Sequence, residues 1–167
     1  MEGFKQIGFD EFNFKIFKKI DKDWGLIVSS DGNRINPMTA SWMGFGILWN
    51  KPVTFIFIRP TRFTYQLMEN SSNFSLSFFT ENFRKQLNFC GTKSGRDYDK
   101  IKEVNFTTGN HNYTSYVIES EIIFFCQKLY YSDINPENFI DGGINKLYDN
   151  DFHRMYIAEI SEIQMKI

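Results

Sequence analysis

The stretch FIFIRPTRFT, Phe55–Thr64, passes from a buried strand to a cluster of cations within four residues. Its four leading apolar residues can cover both faces of a strand, and Pro60 ends the strand because it has no backbone donor. The next segment, TYQLMENSS, has the apolar spacing of a short helix, with Thr64 suited to the N-cap or the first turn. Arg59, Arg62, two hydroxyls and free backbone amides then meet at one point. This is the chemistry that a phosphate requires, although solvated loop arginines would fit these ten residues as well.

Outward from this stretch, the chain contains further strand-like runs rich in β-branched and aromatic residues, which predict six or seven strands. The runs are WGLIVSS, INPMTASWMGF, PVTFIFI, NFSLSFF, YTSYVIES with EIIFFCQKLYY, and RMYIAEISEIQMKI. Asp31-Gly32 predicts a hairpin between the first two, and the pattern SYVIESEIIFFCQ favours long, bent strands.

Helical signals are few: the segment after Thr64, the run ENFRKQLNF, and a short turn at NPENFID. Strands therefore do not alternate regularly with helices, as a parallel sheet would need. The sequence predicts a mainly β protein, an antiparallel barrel with a few short peripheral helices, in a single domain over residues 1–167.

Composition narrows the classes of function. The 19 basic and 20 acidic residues nearly balance, which disfavours binding to nucleic acid by bulk electrostatics. With 18% aromatic residues, a small barrel whose rings stack on single-stranded nucleic acid stays open as a rival. Two cysteines and the opening MEGFKQIGFDEF indicate a cytoplasmic protein, and the apolar runs have strand length, so no membrane span is expected.

Small polar residues interrupt the run NPMTASWMGFGILW at Thr39, Ala40 and Ser41. A core strand would carry bulkier side chains there, so backbone amides at these positions can approach a ligand closely, with Trp42 as its wall. The alternative is an edge strand whose hydroxyls face water.

Two later stretches add candidate groups. The loop NFCGTKSGRDYDK offers glycines that allow tight folding and cations that can bind an anion, or else it is a mobile polar loop. The stretch DFHRMYIAEI places His153 and Tyr156 at the start of the last strand. No metal site is expected, because the chain has two histidines and its two cysteines, Cys90 and Cys126, lie far apart.

Five stretches taken in order resemble the flavin reductase-like proteins of the flavoredoxin type, which are FMN-binding split barrels. They are NPMTASW, KPVTFIFIRPTRFT, NFSLSFF, CGTKSGRD with the following Asp99-Lys100, and HRMYIAE. The resemblance covers nearly the whole chain and implies an antiparallel split β-barrel.

The resemblance also implies roles for individual residues. The phosphate end of FMN would be held by Arg59, Arg62 and Thr64, with Lys100 in addition. The MTASW strand would lie along the isoalloxazine ring, where backbone amides stabilise the negative charge that reduction places on the pyrimidine edge. The residues expected to contact the ring and ribityl chain are Thr39, Ala40, Ser41 and Trp42, and those expected to close over the cofactor are Cys90, Gly91, Ser94 and Gly95.

The activity implied is that of a reductase, in which NADH or NADPH reduces bound FMN and the electrons pass to free flavin, a metal complex or a redox protein. An electron carrier without a nicotinamide site is the alternative. His153 would orient the nicotinamide, but Phe152 and Ala158 depart from the Gly-Asp-His and Gly-Glu patterns of related reductases. A homodimer is expected, with His153 and Tyr156 facing the flavin of either subunit.

Overall fold

Ten strands occur in residues 1–12 and 15–167, the part of the chain that the computed structural model describes. They are β1 (Phe4–Ile7), β2 (Gly25–Ser30), β3 (Ile35–Ala40), β4 (Met43–Leu48), β5 (Lys51–Ile58), β6 (Asn73–Phe78), β7 (Thr108–His111), β8 (Thr114–Val117), β9 (Ile122–Asp133) and β10 (Arg154–Lys166). Eight form one antiparallel sheet and the other two, β7 and β8, form a hairpin. The mainly β, antiparallel class predicted from the sequence is confirmed.

The helices are short and lie between strands. They are α1 (Ile16–Lys18), α2 (Phe63–Glu69), α3 (Arg84–Thr92) and α4 (Lys100–Glu103), with a π-helical turn at Lys19–Asp23 and 3₁₀ turns at Phe9–Glu11, Glu81–Phe83, Pro136–Asn138 and Ile144–Leu147. Within the described residues, none of the helices is both long and apolar enough to cross a bilayer.

The large sheet has the order β3-β2-β6-β9-β10-β5-β4, and β1 pairs with the far end of β10. Its two edge strands, β3 and β4, are consecutive in the chain and are separated by two residues, Ser41 and Trp42. Strand β3 pairs with β2 at one end of the strand order and β4 pairs with β5 at the other, so the two ends of the sheet meet at Ser41-Trp42 without pairing to each other in the described residues. We call this position the seam; it is where the barrel is split.

Phenylalanine rings fill the barrel interior and draw the edge strand β4 toward strands on the opposite wall. Phe45 of β4 lies 5.2 Å from Phe124 of β9 and 6.4 Å from Phe78 of β6, measured between ring centroids. Phe78 and Phe124 are almost fully buried and meet edge to face at 6.1 Å. Core packing therefore accounts for many of the aromatic residues.

Helix α3 covers the outer face of β2 and β3. Leu87 and Cys90 are buried in a cluster with Leu26 and Val28 of β2, as the predicted apolar face of the helix requires. This packing brings the end of α3, where Gly91 follows Cys90, beside the end of β3.

Several sequence predictions need correction. The run INPMTASWMGF is two strands rather than one, because the chain breaks its pairing at Ser41 and Trp42. The two runs between Tyr113 and Tyr131, which the sequence left as one or two strands, are two, β8 and the long β9. The estimate of six or seven strands was too low, because β1 and β7 are four-residue strands with no alternating apolar pattern.

Other predictions hold. Asp31-Gly32 lies in the β2–β3 hairpin, and β9 and β10 are long, with pairing-register shifts near Ala158 and Glu162 that mark bends. Helix α2 begins at Phe63, so Thr64 lies in its first turn rather than at the N-cap.

Candidate functional site

A groove follows the seam and continues between α2 and the loop after α3. At one end is a cavity of about 220 Å³, here named the seam cavity. Its lining residues are Met38, Thr39, Ala40, Ser41, Trp42, Phe57, Arg59, Arg62 and His153. The four consecutive residues that were predicted to contact the ring and ribityl chain, Thr39 to Trp42, thus all line this one cavity.

Thr39 and Trp42 have defined settings in this wall. The Thr39 hydroxyl donates to the backbone oxygen of Leu87 at 2.6 Å, so it anchors α3 and offers a ligand only its oxygen lone pairs. Trp42 is 45% exposed, and its ring lies 4.9 Å from the His153 ring. Trp42 is therefore available as a flat wall at the mouth of the cavity.

Beyond Arg62, which lines both, is a smaller cavity of about 110 Å³, here named the cation cavity. It is lined by Thr61, Arg62, Phe63, Thr64, Thr92, Lys93, Ser94, Gly95 and Lys100. The RPTRFT turn and the TKSG loop, predicted separately as anion-binding segments, thus face each other across a small space.

Lys100 is the most buried cation of this cavity, with 3% of its surface exposed. Its ammonium group donates to the backbone oxygens of Pro37 and Cys90, both at 2.9 Å. An ammonium group has three donors, so one remains for a ligand in the cavity. Burial, with a further contribution from the nearby Arg62 charge, lowers the pKa of Lys100 to about 8.

Arg62 is also partly buried, and its guanidinium donates to the backbone oxygen of Gly91 at 2.7 Å. Burial and the positive charge of Arg59 lower the pKa of Arg62. In the described part of the chain, no carboxylate pairs with Arg62 or Lys100. Two desolvated cations therefore face one small cavity with no counter-ion from the described residues, which is an arrangement that favours an anion there.

Arg59, the other predicted phosphate ligand, is already paired. Its guanidinium donates to both carboxylate oxygens of Asp151, at 2.8 and 2.7 Å, and to the backbone oxygen of Leu147 at 2.9 Å. It lines the seam cavity rather than the cation cavity. The two arginines of RPTRFT are thus three residues apart but have different surroundings.

Glycine is required where the TKSG loop meets the barrel. A Cβ on Gly95 would lie 2.0 Å from Asn36 Oδ1 and 2.6 Å from the Phe63 ring, and one on Gly91 would lie 3.3 Å from Thr39 Cβ. The Asn36 amide in turn donates to the Thr64 hydroxyl at 2.7 Å. Close backbone approach therefore shapes the cation cavity.

The remaining residues of the loop are placed as follows. Cys90 is fully buried, and burial raises the pKa of its thiol to about 11, so it is protonated at neutral pH. The Ser94 hydroxyl lines the cation cavity and accepts the backbone N–H of Arg96 at 3.1 Å.

His153 and Tyr156 have different surroundings, although the sequence pairs them. His153 is 8% exposed, lines the seam cavity, and has Nδ1 3.1 Å from the Tyr148 hydroxyl. Burial and the Arg59 charge lower the pKa of His153 to about 4, so its imidazole is neutral at pH 7. Tyr156 is fully buried and donates to Glu69 at 2.6 Å. Among the described residues, Tyr156 is not one of those that line the cavities of the groove.

Asp151, Tyr148 and Asn36 are site residues that sequence reasoning missed. Asp151 and Tyr148 belong to the segment between β9 and β10, whose only regular elements are two short 3₁₀ turns. Their partner Arg59 is 92 residues away from Asp151 in the chain, and no local pattern marks that contact. Asn36 adjoins the quoted NPMTASW motif, but only the tertiary contact with Thr64 gives it a role.

Residues 24–165 match the model of the flavin reductase like domain family. Because that match spans most of the chain, the protein belongs to the flavin reductase like domain family. A search of curated protein sequences finds no significant match.

Solved structures with a similar fold come from the same group of proteins. The flavoredoxin of Desulfovibrio vulgaris (Miyazaki F) superposes with a TM-score of 0.68 at 20% identity, covering 86% of this chain and 69% of its own. An FMN-binding domain of a flavin reductase-like enzyme from Shewanella baltica gives 0.68 at 16% identity, with 98% and 77% covered. The styrene monooxygenase flavin reductase from Pseudomonas putida S12 gives 0.62 at 13% identity, with 84% and 77% covered. At these identities the likeness establishes the split-barrel fold.

Proposed function

We propose that the chain is a flavoprotein that binds one FMN without a covalent bond, with the phosphate in the cation cavity and the ring along the seam. The observation that carries the proposal is that the buried Lys100 and the half-buried Arg62 face one small cavity and have no carboxylate partner among the described residues. A phosphate dianion supplies the missing negative charge, and Thr64 and Ser94 line the same space with hydroxyl oxygens.

The seam suits the other end of the molecule. Ser41 and Trp42 lie between the two edge strands, and Ala40 ends β3, so the cavity wall there is backbone and small side chains. A planar ring can approach such a wall closely, with Trp42 beside it. Backbone amides can then donate to the ring without adding a titrating group.

Titration of the purified chain with FMN, followed by desalting and an absorbance spectrum, tests binding directly. Arg62→Ala should weaken FMN binding about ten- to a hundredfold, because a charge-assisted phosphate contact contributes roughly 1.5 to 3 kcal/mol. Arg59→Ala should cost less, because Asp151 and Leu147 already occupy that guanidinium.

Arg84→Ala is the matched control, since Arg84 is an exposed arginine stacked over Trp24 and lies outside the groove. A colourless protein after FMN treatment, or equal losses in the Arg62 and Arg84 variants, would contradict the proposed site.

The reaction we propose is reduction of bound flavin by NADH or NADPH. FMN, when bound, supplies hydride and electron transfer, so the chain need only bind and orient the reactants. Trp42 lies at the mouth of the seam cavity and His153, whose ring is 4.9 Å from the Trp42 ring, lines it, so a nicotinamide that stacks on the flavin from this side would meet both. The neutral His153 imidazole suits an orienting role better than proton transfer at pH 7.

Anaerobic mixing with NADH and with NADPH separates a reductase from an electron carrier. A reductase should lose its visible flavin absorbance at about 1 per second or faster. A flavin that is reduced only by dithionite or by a donor protein would support the carrier. The electron acceptor, whether free flavin, a metal complex or a redox protein, is then identified by supplying each in turn.

We also propose that the chain forms a homodimer. Apolar side chains stay exposed around the turn between β4 and β5, where the ring centroids of Trp49 and Tyr130 lie 6.2 Å apart and Ile47 of β4 is also exposed. Surface of this kind favours association with a second copy. Sedimentation of the FMN-loaded protein at micromolar concentration should give twice the mass of one chain, and a monomer would contradict the proposal.

A further inference from the structure

Tyr148, in the segment between β9 and β10, lies within a cluster of aromatic rings beside the seam cavity. Its ring meets the His153 ring edge to face at 5.4 Å and the Trp42 ring at 6.4 Å, measured between ring centroids. On its other sides are Phe139, stacked on it at 6.1 Å, and Phe152, at 4.8 Å. Four neighbouring rings therefore restrict where the Tyr148 side chain can lie.

Arg59 fixes the same tyrosine through its backbone and its ring. The guanidinium donates to the backbone oxygen of Leu147, the residue before Tyr148, at 2.9 Å. Its Cζ lies 5.0 Å from the centre of the Tyr148 ring, and the pair with Asp151 holds the guanidinium in place. The position of the Tyr148 hydroxyl is therefore set by contacts on several sides.

That hydroxyl faces one nitrogen of His153, since the Tyr148 oxygen and His153 Nδ1 lie 3.1 Å apart. Within the described residues, neither the hydroxyl nor Nε2 has another hydrogen-bond partner. A neutral imidazole has one nitrogen that donates and one that accepts. If Nδ1 carried the proton, it would donate to the hydroxyl oxygen, and the O–H would have no acceptor among these residues. If Nε2 carries it, the hydroxyl donates to Nδ1, and the positive charge of Arg59 nearby strengthens that donor.

We propose that Tyr148 is a positioning residue whose hydroxyl donates to Nδ1 of His153, so that Nε2 keeps its proton and is the donor offered to the seam cavity. The inference rests on the proposed function, in which a nicotinamide stacks on the flavin from this side. The carboxamide of a nicotinamide has an oxygen that accepts and an amino group that donates. With Nε2–H as the donor, the carboxamide oxygen must face His153. The other tautomer would bind the amino group and turn the carboxamide round.

The ¹⁵N chemical shifts of the histidine rings test the tautomer in the purified chain at pH 7, with and without FMN. For His153, Nε2 should give the signal of a protonated nitrogen, and Nδ1 that of an unprotonated nitrogen that accepts a hydrogen bond. Tyr148→Phe, which removes only the hydroxyl, should shift the Nδ1 signal. The signals of His111, the other histidine of the chain, should stay unchanged. A protonated Nδ1 in the unmodified chain, or an Nδ1 signal that Tyr148→Phe does not move, would overturn the inference.

Anaerobic reduction by NADH and NADPH tests the consequence for the reaction. Tyr148→Phe should lower kcat/KM for the nicotinamide about three- to tenfold, as expected for one neutral hydrogen bond, and should leave FMN affinity unchanged. Tyr113→Phe is the matched control, because Tyr113 is 95% exposed and lies outside the groove, and it should change neither value.

A double-mutant cycle separates positioning from mere loosening of the segment. In His153→Gln the side-chain amide can donate without any tautomer, so adding Tyr148→Phe to it should cost nothing further. An equal loss of kcat/KM from Tyr148→Phe in both backgrounds would overturn the inference. A chain that binds FMN but is reduced by neither nucleotide would contradict the proposed reaction instead, and the ¹⁵N shifts would still decide whether Tyr148 sets the tautomer.

Discussion

FMN affinity should fall as the pH rises through about 8, because Lys100 is the cation that burial makes easiest to deprotonate in the cation cavity. Burial lowers its pKa to about 8, and its ammonium group donates two hydrogen bonds, to the backbone oxygens of Pro37 and Cys90. A phosphate beside it stabilises the charged form, so above pH 8 binding must take up a proton. The FMN phosphate is already a dianion at pH 7, since its second pKa is near 6.

The magnitude follows from the fraction of protonated Lys100. With a pKa of about 8, the protonated fraction falls about tenfold between pH 7 and pH 9, and the affinity should fall by the same factor. The contribution of Lys100 to the stability of the flavin-free chain should move the other way. In the unfolded chain the lysine has a pKa near 10.4, so the unfolded lysine binds more protons between pH 8 and 10.4. Lys100 should therefore add about 1 kcal/mol to the free energy of unfolding between pH 7 and pH 9, opposed by Cys90 and Cys126, because burial raises the pKa of both thiols. The Lys100 contribution is read from the difference between the unmodified chain and Lys100→Met, which share both thiols.

The assay is a set of FMN titrations from pH 7 to 9 on the unmodified chain, Lys100→Met and Lys93→Met. Lys93 lines the same cavity, but its side chain is exposed. Lys100→Met should lose the slope of affinity against pH, whatever its affinity at pH 7, and Lys93→Met should keep it. An affinity of the unmodified chain that is constant from pH 7 to 9, or a slope that survives in Lys100→Met, would refute the reasoning.

Three further predictions concern shape, burial and charge. Gly95→Ala should lower the free energy of unfolding, measured by urea denaturation, by about 1 to 3 kcal/mol and should weaken FMN binding, because the added Cβ would lie 2.0 Å from Asn36 Oδ1. Gly142 has open space around it, so Gly142→Ala should leave the free energy of unfolding unchanged. Tyr156→Phe should cost about 0.5 to 1.5 kcal/mol in the same assay, because it removes one hydrogen bond to Glu69, an exposed carboxylate that keeps its contact with Arg154. The free energy of unfolding should fall as the pH drops from 6.5 to 4, because His153 takes up a proton near pH 6.5 in the unfolded chain but only near pH 4 in the folded chain. His153→Asn should make that fall smaller by roughly 1 to 2 kcal/mol at pH 5.

Local signals explain why much of the site could be predicted from the sequence. The strand, turn and helix of FIFIRPTRFT depend on Pro60 and on apolar spacing within ten residues, and all three occur where predicted. The β2–β3 hairpin and the apolar face of α3 are local features of the same kind. The family resemblance then related the RPTRFT turn to the distant TKSG loop, which the cation cavity brings together.

Other features depend on contacts between distant residues. Sequence alone gave Arg59 and Arg62 the same role, and only the contact of Arg59 with Asp151, 92 residues away, separates them. Tyr156 follows His153 by three residues, yet it points to Glu69 of α2 rather than to the cavity. A strand alternates its faces, so neighbours in a motif need not share an environment.

The break at Ser41-Trp42 connects the fold with the site. Among the described residues, β3 pairs only with β2 and β4 pairs only with β5, so the seam leaves unpaired backbone donors and acceptors along two edges. Proteins usually cover such edges, and here α3 covers part of β3 through the bond from Thr39 to Leu87. A flat ligand with hydrogen-bonding groups along its border can cover the rest.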